Sequence, residues 1–254
     1  MLGNQKYLLE GTSSLSDSIL GLNEITENKS LWKMLAAEFI GTLILVTVGC
    51  GSCLGNPTIV QIALAFGLTV AALVQAIGHV SGGHINPAVT VSFFITGEIN
   101  LVRTILFILV QCIGAIAGAG ILKALLPASF INGNLGFTEV APEIQPINGL
   151  FFELVFTFIL VFVIHGVCDG RRNDIKGSIP LAIGLTVTAA HLSGIHFTGS
   201  SINPARTFGP SVVMNFWNDH WVYWVGPIAG GVLAGLLYKY IFKVQKGDND
   251  SYDF

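Results

Sequence analysis

Two identical tetrapeptides, Ile85-Asn86-Pro87-Ala88 and Ile202-Asn203-Pro204-Ala205, stand 117 positions apart in this chain. An asparagine before a proline suits a helix start. The side-chain oxygen can cap the first turn, and proline loses nothing at the first helical position. The asparagine amide also carries two N–H donors that can face a ligand. Arg206 follows the second copy, and Glu38 and Glu153 sit inside apolar stretches. These residues offer hydrogen bonds and fixed charge, not covalent chemistry. No HExxH or GxSxG pattern is present, so an enzyme is not expected. Cys50, Cys53, Cys112 and Cys168 lack a second pair for a zinc site and read as free thiols packed like small hydrophobes. His79 and His84 lack further metal ligands, and His191 taken alone reads as a hydrogen-bonded core histidine. No metal or cofactor is implied.

Such residues need elements to position them, and the composition points to a bilayer. Of 254 residues, 52% are hydrophobic and only 11% charged, too little charge to solvate a globular surface of this size. A net charge of -3 without a basic cluster excludes nucleic acid as a partner. The first 30 residues lack an apolar core for a cleavable signal, so insertion is expected to begin with an internal segment. Six stretches approach the roughly 20 residues that a helix needs to cross the hydrocarbon. They cover residues 34–54, 59–78, 102–125, 149–167, 179–192 with its apolar approach, and 223–242. Two shorter pieces, 87–95 and 204–214, each begin at a proline and read as half-helices.

If six spans alternate, Lys6, Lys29, Lys33, Arg103, Arg171, Arg172, Lys176, Lys239, Lys243 and Lys246 fall on one side. Lys123 and Arg206 remain for the other, so both termini are expected in the cytoplasm. Residues 1–31 and 244–254 then form cytoplasmic tails, and 127–148 an extracellular connection.

Self-comparison relates residues 32–126 to residues 149–243. AFGLTV at 65–70 matches AIGLTV at 182–187, and Gly82 matches Gly199 at the same offset as the tetrapeptides. Glu38 and Thr42 match Glu153 and Thr157, while Gly114 and Gly118 match Gly226 and Gly230. Three spans per half invert the second half, an architecture that places a binding or permeation site near the midplane. The predicted fold is an all-α membrane protein, with six transmembrane helices and two re-entrant half-helices in an inverted 3+3 repeat. The equivalent glutamates suit bracing of the two re-entrant loops.

At these residues, across about 32–242, the sequence resembles the aquaporin family, with paired signatures in HINPAVT (84–90) and SINPART (201–207). The resemblance implies a pore in each subunit of a homotetramer in a lipid bilayer, with the NPA motifs Asn86, Pro87, Ala88, Asn203, Pro204 and Ala205 at its centre. It implies a selectivity filter of Phe66, His191, Ser200 and Arg206, the set of water-selective members. Glu38, Glu153, Gly199, Thr207, Tyr223 and Trp224 are expected to support it. Thr207 stands where glycerol channels carry aspartate, and Tyr223-Trp224 resembles the aromatic pair of water-type members. The implied function is passive conduction of single-file water across a membrane down osmotic gradients, with protons and ions excluded; the alternative is a channel for glycerol or another small neutral solute. Ser200 replaces a cysteine of many animal water channels, so a mercurial is expected to leave permeability largely unchanged. A rocking secondary transporter and a structural junctional protein are rival classes, distinguished by saturating flux and by absent permeability.

Overall fold

The structure, a computed structural model, describes residues 19–131, 134–170 and 178–243. The N-terminal serines, Lys6, Arg171, Arg172, Asp174, Lys176, Lys246 and the acidic tail lie outside the described residues. In chain order the helices are α1 (Glu24–Glu27), α2 (Leu31–Gly51), α3 (Ile59–Ser81), α4 (Pro87–Thr96) and α5 (Leu101–Leu125). They continue as α6 (Ala128–Ile131), α7 (Pro146–Val167), α8 (Ile179–Thr198), α9 (Pro204–Met214) and α10 (Val222–Leu237), the last running into a π-helical turn, Tyr238–Phe242. Six are long and apolar enough to cross a membrane: α2, α3, α5, α7, α8 and α10 with its extension. Among the described residues there is no strand.

Local chemistry accounts for the ends. Thr58 caps α3 by accepting from the Gln61 amide, and the Gln61 side chain returns a bond to the Thr58 N–H. Gly82 and Gly199, equivalent in the two halves, end α3 and α8 at φ +94° and +76°, a left-handed conformation that glycine adopts without steric cost. That turn sends each chain back into the bundle. Several helices extend past the ends expected from hydropathy. α2 starts at Leu31, ahead of residue 34, because Leu31 buries against Leu35 and Phe107 beneath the polar Lys33. α8 continues to Thr198 because His191, Gly194 and Thr198 turn inward, where polarity ends a hydropathy run but not a helix.

The packing follows the repeat. α2 lies on α5 as α7 lies on α10, and α3 meets α8 between the halves. The half-helices pack crosswise: α4 against α10, and α9 against α5. Small residues permit the close crossings. A Cβ at Gly230 would overlap the Leu154 carbonyl, whereas one at Gly120 would meet nothing within 4 Å. We expect Gly230→Ala to force α7 and α10 apart at about 1–3 kcal/mol and lower the thermal unfolding midpoint in detergent. Gly120→Ala should not lower it, and equal midpoints for the two variants would contradict this packing.

Short α1 is held to the bundle by Glu24. Its carboxylate accepts from Asn28 at 2.5 Å, Asn100 at 2.6 Å and the Arg103 guanidinium, with Arg103 Nε at 3.0 Å. Burial opposes ionisation of Glu24, but the bonds from Arg103, Asn28 and Asn100 prevail and hold its carboxyl below the usual carboxylate range. The pair therefore stabilises the fold above the ordinary carboxylate pKa and is lost only as pH falls through the depressed value.

Candidate functional site

Ile85 and Ile202 open the two re-entrant turns at φ +43° and +47°. This region is strained for a β-branched side chain, at about 1–3 kcal/mol each, and persists only where the surroundings enforce it. Two buried carboxylates do so. Glu38 Oε2 accepts from the Ile85 N–H at 2.6 Å, and Glu153 Oε2 from the Ile202 N–H at 2.7 Å. Glu38 Oε1 also accepts from Ser81 Oγ and the His84 N–H, while Glu153 Oε1 accepts from Thr198 Oγ1 and the Ser201 N–H. Both carboxylates have filled oxygens and zero exposure. They act as braces.

The strained turns aim their carbonyls across the midplane. Asn86 Nδ2 donates to Ile202 O at 2.7 Å, and Asn203 Nδ2 donates to Ile85 O at 2.8 Å. Each asparagine oxygen caps its own half-helix: Asn86 accepts from the Ala88 N–H, and Asn203 from the Ala205 and Arg206 N–H groups. Pro87 and Pro204 occupy the first helical positions, where no donor is needed. One N–H of each amide is thus spent on the opposite loop. The second remains for the space that both asparagines line.

That space is a cavity of about 560 Å³. It runs from Gln75, His79 and Cys168, on the face that carries residues 19 and 243, past His84 and the asparagines to Phe66, His191 and Arg206. There the Phe66 and His191 rings stack with centroids 4.5 Å apart, and Arg206 Cζ lies 4.9 Å from the Phe66 centroid. Arg206 Nη1 donates to Gly136 O at 2.6 Å, which fixes the guanidinium, while Nε has no partner. His191 Nδ1 lies 3.0 Å from Val187 O. A carbonyl only accepts, so Nδ1 carries the proton and the unpartnered Nε2 presents a lone pair. An unpaired donor and an unpaired acceptor thus belong to residues that line the same cavity.

A family model for major intrinsic proteins matches residues 24–238. The chain belongs to the major intrinsic protein family. Aquaporin-4 of Mus musculus is 48% identical over 240 residues, 91% of this chain and 74% of the relative. Aquaporin-5 of Mus musculus is 50% identical over 217 residues, 84% of this chain and 82% of the relative. The X-ray structure of the aquaglyceroporin from Plasmodium falciparum has a TM-score of 0.73 at 24% identity, covering 83% of this chain and 96% of that one, a likeness of fold.

In this major intrinsic protein, Phe66, His191, Arg206, Asn86 and Asn203 line one cavity. Pro87, Ala88, Pro204 and Ala205 are buried behind the asparagines. The Ser200 hydroxyl donates to Ala190 O at 3.0 Å, and the side chain is as buried as those of Phe66, His191 and Arg206. Thr207 pairs with Ser201 and with Thr138 of the loop before α7. Gly199 packs under Thr138. Tyr223 donates to Thr198 O at 2.8 Å and braces the end of α8. Trp224 stands away from the cavity and donates to His220 Nε2 at 3.1 Å.

The cysteine reading needs one correction. Cys50 is buried, and Cys53 and Cys112 are half-buried, but Cys168 is exposed and lines the cavity mouth because it caps the C-terminal end of α7. Three contributors escaped sequence reasoning. Gly136 acts through its carbonyl, which no residue type signals. Thr138 reaches in from a loop without periodicity. Gln111 was findable: it precedes Gly114 as Tyr223 precedes Gly226, so the repeat already paired the two braces.

Proposed function

We propose that this protein is a passive, water-selective channel, carrying water in single file down osmotic gradients while excluding ions and protons. The observation that carries the reading is the polar accounting at the neck. The buried Arg206 Nε donor and His191 Nε2 acceptor have no protein partner, although buried polar groups are ordinarily paired. Water held at this end of the cavity would find a donor and an acceptor that the protein leaves unclaimed. At the midplane, water oxygen would accept from the free N–H groups of Asn86 and Asn203. The positive ends of α4 and α9 and the charge of Arg206 oppose a cation or proton on the file. Between these points the wall is largely aliphatic, with Val70, Val187 and Leu160 among its residues, so binding is weak enough for release.

Stopped-flow swelling of liposomes containing the purified protein tests this function. We expect osmotic water flux far above that of bare liposomes, with little added glycerol flux. Comparable glycerol flux would overturn the selectivity, and no added water flux the function.

The protein is read as a plasma-membrane homotetramer with both termini cytoplasmic and a pore in each subunit. Exposed Ile44, Leu64, Leu109, Phe151 and Leu185 suit lipid or subunit contacts. In that orientation Cys168 faces the cytosol. A membrane-impermeant mercurial added outside is expected to leave water flux unchanged, because Ser200 offers no thiol. Added inside, it should reduce flux in the wild type but not in Cys168→Ser. External block would contradict this assignment.

A further inference from the structure

Thr90 lies one turn into α4 with no exposed surface. Its hydroxyl, with one hydrogen and two lone pairs, has three polar neighbours. Asn86 O is at 3.0 Å, Gln111 Nε2 at 3.0 Å and His84 Nδ1 at 3.2 Å. Asn86 O can only accept. Gln111 Nε2 donates here because the same nitrogen also serves Glu38 Oε2 at 2.8 Å, and turning the amide over would set its oxygen against a carboxylate. The Thr90 hydrogen therefore points either to Asn86 O or to His84 Nδ1.

The choice is not neutral. If the hydrogen went to His84, two oxygens 3.0 Å apart would face each other with no hydrogen between them. If it goes to Asn86 O, each contact holds one hydrogen, provided that His84 Nδ1 carries a proton of its own. We infer that Thr90 fixes His84 as the Nδ1–H tautomer, making its Nε2 a hydrogen-bond acceptor for the contents of the lumen.

The rest of the ring agrees with this role. Nε2 makes no hydrogen bond among the described residues, its edge runs beside Gly82, and His84 lines the cavity. Gln111 fills the second lone pair of Thr90 and keeps its hydroxyl from turning away. Thr90 and Gln111 are positioning residues, acting on the lumen through His84.

This inference deepens the proposed water-channel function and rests on it for its consequence. Going from the neck to the cytosolic mouth, the lumen offers an acceptor at His191, donors at Asn203 and Asn86, and an acceptor at His84. Water would turn its oxygen to the centre and its hydrogens toward both histidines. A file polarised outward in both directions lacks the continuous orientation that proton hopping requires.

The test is nitrogen-15 NMR of histidine-labelled full-length protein in lipid bilayers at neutral pH, with His84 assigned by the signals missing from His84→Gln. We expect Nδ1 protonated and Nε2 bare. Thr90→Val should move the proton to Nε2, and Thr90→Ser should keep the wild-type pattern. An Nε2–H or doubly protonated His84 in the wild type would overturn the inference, as would an unchanged tautomer in Thr90→Val. If Thr90→Val does not fold, the wild-type spectrum decides. The spectrum is independent of swelling: bare Nε2 without water flux would sink the channel reading and leave the tautomer standing.

Discussion

Replacing His191 with glycine is expected to raise glycerol permeability by about tenfold or more while water still passes. The imidazole stacks on Phe66 at 4.5 Å, and Arg206 is fixed beside the same ring by Gly136 O. Of the three groups, His191 can be removed without deleting the charge that opposes cations. Its loss takes away both the steric wall and the unpartnered Nε2 lone pair, so a longer neutral solute can enter. Stopped-flow measurements in proteoliposomes, with water and glycerol gradients on the same preparation, check the result. Unaltered glycerol flux would mean that the constriction lies elsewhere.

The largest effect on the folded state is expected from Glu38→Leu. Four donors converge on that carboxylate: Ser81 Oγ, the His84 and Ile85 N–H groups, and Gln111 Nε2. A leucine would leave all four without this acceptor at about 1–3 kcal/mol each and would release the strained Ile85 turn. The sum is a large part of a typical stability margin of about 5–15 kcal/mol. We expect little monodisperse protein after size-exclusion chromatography, and water flux near that of bare liposomes from any recovered fraction. A stable Glu38→Leu protein with wild-type flux would show that the turn holds itself.

These two residues also mark what the sequence could tell. Glu38 was legible as a brace because its mate Glu153 recurs in the inverted repeat, and a charge inside hydrocarbon must have partners. The half-helices were legible because an asparagine cap, a proline and a short apolar run coincide twice. His191 became legible only through its place before Asn203, since a single buried histidine fits many environments. The span ends were less clear: α8 runs on past Leu192 because its inward face is polar for a reason that hydropathy does not register. Spacing gave Ser200 a backbone position but not the partner of its hydroxyl, which is Ala190 O. The anchor for Arg206 was illegible, since Gly136 contributes a carbonyl from a connection with no repeat mate.

An experimental density map of the protein in lipid, fine enough to resolve waters, tests the central claim most directly. It should contain an unbroken file of single waters from His191 to His84, with one water within hydrogen-bond reach of both Asn86 and Asn203. Side chains filling that path, or the two asparagines drawn apart with their amides turned into dry packing, would contradict it.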